Sequence, residues 1–259
     1  FENINNTFNK VISKPLDSLS GWYFSIKSFD FDNDGDDDYI LGNLGTNYKY
    51  KASKEEPFEA YYHDFDVNGK KDLVLGYYNF GELFPVRGRE CSSQQIPNIK
   101  KVTPTFNDFG LSTLSDVYGK SNLSDALRLS SYNFKSGLLK NNGKGNFEFI
   151  SFPEIAQLSS INDILLRDLD DDGDTDIIVA GNLFVSEIET PRNDASYGMV
   201  LFNTDFEFKP LNANKSGLFM PNDTKTLNFI SIKNKIHLLA GNNNDFLKVY
   251  KLNQNSGIK

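Results

Sequence analysis

DFDNDGDDD (residues 30–38) is the stretch on which the fold turns, because its pattern returns as DFDVNGKKD (64–72) and DLDDDGDTD (168–176). All three read D-h-D-x-[DN]-G-x-x-D, with Phe or Leu at h. A hard cation such as Ca²⁺ takes six to eight oxygens, and a tight loop supplies them from alternate positions. Positions 1, 3 and 5 offer Asp30, Asp32 and Asp34; then Asp64, Asp66 and Asn68; then Asp168, Asp170 and Asp172. Glycine at position 6 (Gly35, Gly69, Gly173) lets the chain fold back with positive φ. Position 7 (Asp36, Lys70, Asp174) needs to give only its backbone carbonyl, which is why a lysine is tolerated there. Position 9 (Asp38, Asp72, Asp176) closes the cage. One such nonapeptide is as easily an acidic surface turn. Three copies with glycine in register point to up to three Ca²⁺ ions, since so many carboxylates in one loop repel unless a cation sits among them.

The residues that follow decide between fold classes. An EF-hand carries a bidentate Glu at position 12 and runs into a helix. Here position 12 is Leu41, Leu75 or Val179, inside short apolar runs (YILGN, LVLGY, IIVAGN) that stop at glycine and predict buried strands. The segments before the loops, residues 23–29, 59–63 and 161–166, have the same character, so each loop is expected to join two antiparallel strands.

Strand, D-h-D-x-[DN]-G-x-x-D, strand ending in Gly-Asn resembles the FG-GAP/VCBS-type repeats that form the calcium-loop blades of integrin-α-like β-propellers. The resemblance covers most of residues 22–79 and 137–250. More weakly, residues 47–101 (NYKYKAS, FDVNGKKD, RGRECSSQQIPNIKK) are similar to bacterial repeat proteins in which ASPIC/UnbV domains occur, a likeness that implies no particular activity. The fold class implied is all-β: a propeller or partial propeller of about four antiparallel blades within a single repeat domain. The units fall at roughly 16–58, 59–90, 127–190 and 197–252. A partly helical insertion, 79–131, separates the second and third loops. In the last unit the acidic loop has shrunk to Lys233-Asn234-Lys235, a tight hairpin turn. Within the insertion, 81–101 reads as irregular loop. Thr103-Pro104 reads as a helix start, and 105–118 as one short amphipathic helix. A further short helix or turn is expected over 121–127, then strand alternation from Leu127 and a hairpin over 136–149.

The chain has 259 residues and a formal net charge of −8. Its acidity is concentrated, since the three nonapeptides hold 15 of the 35 acidic residues and three Ca²⁺ would bring the formal charge to −2. A basic stripe for nucleic acid is absent from the sequence, as is any run of 18 apolar residues that would span a membrane. The polar start without an initiating Met gives the look of a piece of something longer. Cys91 stands alone and forms no internal disulfide.

Catalytic signals are sparse. His63 and His237 read as structural residues, and neither H-E-x-x-H nor a P-loop occurs. Arg87, Arg89 and Glu90, beside Tyr78, form the one polar cluster suited to a carboxylated glycan or peptide acid. The same arginines would equally pin the insertion through backbone carbonyls. Trp22 and Tyr23 would serve as a sugar-stacking shelf or as core. The expectation is therefore a non-catalytic, extracellular or cell-surface module that binds a protein or carbohydrate ligand and uses Ca²⁺ to stiffen its hairpins. Calcium sites of extracellular modules bind too weakly to fill in the cytosol. Two alternatives stay open: a structural subunit of a larger cell-surface assembly, and a polysaccharide lyase or hydrolase built on Arg87, Arg89, Glu90 or Tyr78.

Overall fold

A computed structural model describes residues 2–10, 14–186 and 189–252. Among the described residues strand outweighs helix, every strand pairing is antiparallel, and the chain divides into two compact units. The first comprises Phe1–Asp17, Gly21–Lys49 and Phe134–Lys259; the second, Ser18–Ser20 and Tyr50–Asn133, is inserted into it.

In chain order, a small hairpin β1 (Glu2–Ile4) and β2 (Thr7–Asn9) is followed by one turn of helix, α1 (Lys14–Asp17). The strands β3 (Ser25–Phe29) and β4 (Asp38–Gly42) flank the first acidic loop. The second unit then contributes β5 (Phe58–His63) and β6 (Asp72–Asn79) around the second loop, and β7 (Glu82–Pro85). Five short helices follow: α2 (Arg89–Gln95), α3 (Ile99–Val102), α4 (Phe106–Leu111), α5 (Leu114–Tyr118) and α6 (Lys120–Asp125). The unit closes with β8 (Leu127–Ser131), which pairs with β5. Back in the first unit come β9 (Gly137–Asn141) and β10 (Phe147–Ser151), then β11 (Asp163–Arg167) and β12 (Asp176–Ala180) around the third loop. The chain continues through β13 (Met199–Thr204), β14 (Glu207–Leu211) and α7 (Ala213–Ser216), to β15 (Thr224–Ile232), β16 (Lys235–Asn242) and β17 (Lys248–Lys251).

Each acidic loop thus joins two antiparallel strands, as its apolar flanks predict. Sheet membership departs from the expected units 16–58, 59–90, 127–190 and 197–252. The first loop's sheet is β10-β9-β4-β3, completed by a hairpin some 95 residues downstream, because β9 pairs with β4. The second is β7-β6-β5-β8, so Leu127–Ser131 belongs here rather than with the third loop. The third is β11-β12-β13-β14, and the last, β15-β16-β17, has three strands. Alternation marks where a strand lies, whereas its partner is chosen by contacts distant in sequence.

The insertion is more regular than its polar composition predicts. Residues 81–101 hold β7, α2 and α3 rather than irregular loop. The single helix over 105–118 is two, broken at Ser112 (φ −88°, ψ 134°). Thr105 with Asp108 and Thr113 with Asp116 each make a full capping box, so a second helix start interrupts the first. Thr103, the expected N-cap, instead ends α3.

Within the first unit, three sheets stack face to face. Ile40 and Leu138 of the first sheet meet Ile164, Ile177, Val179 and Leu201 of the next in one buried cluster. The alternate residues Ile178, Ala180 and Val200 meet Leu227, Leu238 and Ala240 of the last sheet in another. This is why β12 is buried at every position: both its faces are covered. Gly42 and Gly181 end their strands where neighbouring backbone crowds in. A Cβ on either would collide with the carbonyl oxygen of Ile161 or of Ser160 respectively. The paired Asn43 is buried and bonds the N–H groups of Trp22 and Leu44 through Oδ1 (3.1 and 2.8 Å). Asn182, also buried, donates to the carbonyls of Ser196 and Asn222 (2.9 and 3.0 Å). Trp22 packs edge-on against Phe134 (5.4 Å between centroids), as part of this strand-end packing. Lys233 and Asn234, at φ 50° and 59°, form a two-residue turn between β15 and β16, one residue shorter than expected because Lys235 pairs with Ile232 as the first residue of β16.

In the second unit, one face of the sheet (Tyr61, Val74) packs on the helices through Ile96, Ile99, Phe109, Leu114 and Val117. Glu59, fully buried, is gripped by Arg128 from β8 at 2.8 Å (Nε) and 2.6 Å (Nη2), with Ser130 Oγ donating at 2.9 Å. Removing the cation alone strands a buried carboxylate. Arg128→Met is expected to cost about 3 kcal/mol in chemical denaturation. The double variant Arg128→Met with Glu59→Gln recovers most of that loss.

Candidate metal centre

The three nonapeptides adopt closely similar conformations, the third differing in that its position 1 accepts from position 4 rather than position 5. Asp at position 1 accepts backbone N–H bonds from across its loop: Asp30 from Asp34 and Gly35 (3.1 Å each), Asp64 from Asn68 and Gly69 (3.0 and 2.8 Å), Asp168 from Asp171 and Gly173 (2.8 and 3.1 Å). Position 5 accepts from position 7, with Asp34, Asn68 and Asp172 taking the N–H of Asp36, Lys70 and Asp174 at 2.9, 2.8 and 2.9 Å. Position 9 closes each loop onto position 2: Asp38 on Phe31 (3.1 Å), Asp72 on Phe65 (3.1 Å), Asp176 on Leu169 (2.8 Å). Its second oxygen reaches outside the loop, to Asn141 N–H (2.7 Å), Gln95 Nε2 (3.2 Å) and Asn203 N–H (3.0 Å) respectively.

These bonds turn carboxylates inward, and three clusters result: Asp30, Asp32 and Asp34; Asp64, Asp66 and Asp72; Asp168, Asp170 and Asp176. Within each, one oxygen per residue lies within 4.8 Å of the others, close enough to share one metal ion. Asp38 and Asp172 fall outside these triads, and Asn68 would add an amide oxygen to the second. Asp36, Lys70 and Asp174, at position 7, lie outside them too; their expected contribution was a carbonyl. At position 3, Asp32 Oδ1 and Asp66 Oδ1 are buried and accept no hydrogen bond. A buried carboxylate oxygen without a donor is costly, and a cation at the cluster centre satisfies it.

Charge differs among the loops. Lys140 Nζ sits 2.9 Å from Asp32 Oδ2 and holds that carboxyl below its ordinary value. Asp64 is lowered as well, burial being outweighed by the Gly69 and Asn68 N–H groups and by Lys71. Burial pushes Asp38 up, and burial with the neighbouring Asp172 and Asp168 pushes Asp170 up. Asp176 rises furthest, to about 6, chiefly through burial and then through Asp170 and Asp172. The third cluster is thus the one most in need of a cation.

Sequence reading missed position 4. Asn33, Val67 and Asp171 all adopt the left-handed conformation, at φ 57°, 58° and 61°. Asn and Asp tolerate it, but a β-branched residue is strained there. The signal was present in the Asn and Asp of two copies. Val67 is 88% exposed, so nothing compensates by packing. Val67→Asn is expected to stabilise the protein by about 1 kcal/mol in urea unfolding.

The other candidate, in the insertion, has a different character. Arg89 Nε and Nη2 donate to the carbonyls of Thr103 (2.8 Å) and Pro104 (2.9 Å), and its guanidinium lies 5.2 Å from the Phe106 ring centroid. Arg87 donates to Gln95 (3.4 Å), and Glu90 accepts from Lys100 (3.2 Å). Tyr78 sits on β6 opposite Leu83, a residue packed against the helix-side core. The arginines therefore tie helices together. His63 packs edge-on against Phe65, and His237 Nδ1 lies 2.9 Å from its neighbour's carbonyl at Lys235.

Without metal, the raised carboxyl of Asp176 sets the sign of a pH effect. Its folded value, about 6, lies above the ordinary 3.8. The associated stability is full below the lower value and lost as pH rises through the upper one. In chelator, the melting temperature is expected to fall across that window. Asp176→Asn flattens the fall, and Asp38 and Asp170 account for the remainder in the same direction.

Neither a scan against protein-family models nor a search of curated proteins gives a match to this chain. Its reading rests on the geometry of the three acidic hairpins, which makes them candidate metal centres.

Proposed function

We propose that this chain is a calcium-binding, non-catalytic module whose sheets are blades of a β-propeller or partial propeller, acting outside the cell as a ligand-binding or adhesive surface. The observation that carries the reading is the pair of buried, unpartnered oxygens at the same loop position, Asp32 Oδ1 and Asp66 Oδ1, each inside a carboxylate cluster. An all-oxygen, carboxylate-rich donor set in a flexible loop suits Ca²⁺ better than Zn²⁺, which prefers nitrogen and sulfur, or Mg²⁺, which keeps its waters. The ion's role is mechanical. Positions 1 and 3 would hold it in every loop, joined by Asp34 at position 5 in the first and by Asp72 or Asp176 at position 9 in the others, while position 9 anchors the loop to the following strand. The hairpin between two sheet strands is thereby locked.

A bound ion stabilises the folded chain by RT ln(1 + [L]/Kd), about 1.4 kcal/mol at tenfold saturation. Sites with sub-millimolar to millimolar affinity, typical of extracellular modules, fill only where calcium is abundant. That supports an extracellular or cell-surface location. The enzymatic alternative at Arg87, Arg89, Glu90 and Tyr78 is weakened by the bonds that occupy Arg89. The structural-subunit reading is favoured by one observation, the apolar outer face of the sheet β7-β6-β5-β8 described below.

Thermal melting in calcium, in chelator, and with calcium restored tests the proposal. A reversible loss of several degrees on chelation is expected, with up to three calcium ions per chain by elemental analysis. Asp170→Asn should cost the most affinity, because the third loop lacks the Lys140 contact of the first and the Asn68 and Lys70 of the second. An unchanged melt together with no bound metal would refute it.

A further inference from the structure

One face of the second unit's sheet is covered by helices, whereas the other is covered at Phe58, buried against Tyr50 (4.7 Å between ring centroids), and open beyond it. Tyr61 and Val74 face the helices. The alternate residues form charge-free rows on the other side: Leu73, Tyr62 and Leu127 lie abreast, then Leu75, Ala60 and Leu129, with Tyr77 beside Phe84. Leu73 is 44% exposed, Tyr62 48%, Leu127 58%, Leu129 59% and Tyr77 39%. Those five residues alone leave on the order of 500 Å² of apolar surface in water, at the upper end for a single patch on a monomer.

The third acidic loop shows how such a face is covered. The first and third residues after position 9 there are Ile177 and Val179, 0% and 3% exposed beneath a neighbouring sheet. The same places after the second loop are Leu73 and Leu75. The face is therefore built to receive another flat apolar sheet, and no charge in its rows selects a charged partner.

We infer that the Leu73–Tyr62–Leu127 and Leu75–Ala60–Leu129 rows are a self-association surface, on which a second copy of this chain packs its own identical face about a two-fold axis. Rows without charge are complementary to themselves, Glu82 opposite Asn79 lying at the end of the face, and closed two-fold pairs are the commonest homo-oligomers. The five exposed residues supply on the order of 500 Å² of the ~800 Å² per partner that a standard interface buries.

Sedimentation equilibrium of the full chain in calcium-containing buffer, from low to high micromolar, is the test. The wild type is expected to be a dimer at the upper end, and Leu129→Glu a monomer with an unchanged melting temperature. Leu127→Lys, in the adjoining row, should behave alike and serves if Leu129→Glu fails to fold. Ile230→Glu, in the β15-β16-β17 sheet, should leave the dimer intact. A wild type that stays monomeric throughout overturns the inference. So does a dimer that survives both row substitutions, or association that continues beyond two copies. None of these outcomes depends on calcium at the loops, which the chelation melt reads separately.

Discussion

Mutual repulsion among carboxylates is the constraint around which this structure is arranged. Each acidic hairpin gathers several ionisable oxygens within the span of one ion, and the backbone goes to some length to keep them there. Asp at position 1 collects two N–H groups from its own loop, and Asp at position 9 takes the N–H of position 2. Such bonds stabilise the charged form where the carboxyl is exposed, as at Asp64. Where it is buried, as at Asp176, desolvation overrides them. A cation at the centre would offset that repulsion, and Lys140 beside Asp32 already offsets part of it in the first loop.

The same position-9 carboxylates join the loops to the sheets. Asp38 takes the N–H of Asn141, at the end of the neighbouring strand, and Asp176 that of Asn203 in the equivalent place. Ordering the loop therefore orders a strand outside it. At the opposite ends of β4 and β12, Gly42 and Gly181 permit close backbone approach, while Asn43 and Asn182 satisfy the loop groups around them. Strands held chemically at both ends can be short, which is what is observed.

Much of this was legible in the residues. The glycine at position 6, the alternating oxygens and the apolar runs on both sides predict a metal-shaped turn between two strands, and the structure builds that turn three times. The Lys-Asn-Lys turn was equally readable, because two left-handed residues are what a two-residue hairpin requires. The helix break at Ser112 was encoded too, in the Thr-x-x-Asp of residues 113–116. It was hidden by Phe106, Phe109, Leu114 and Val117, whose near-helical spacing carries across the gap. Arg89 illustrates the opposite limit. An arginine near aromatics suits an anion or a carbonyl equally, and only the position of Thr103 and Pro104 resolved which.

What the chain settled alone is local: loop geometry, strand positions, helix starts, and the concentration of negative charge, all set by interactions within a few residues. What required the tertiary structure is pairing and coverage. That Gly137–Asn141 completes the first loop's sheet, that Leu127–Ser131 closes the second's, and that Ile177 is sealed while Leu73 is open depend on segments far apart in sequence. The physical reason is that a strand's alternation records which of its faces is apolar. It does not record which strand will bond its edge or which sheet will cover that face.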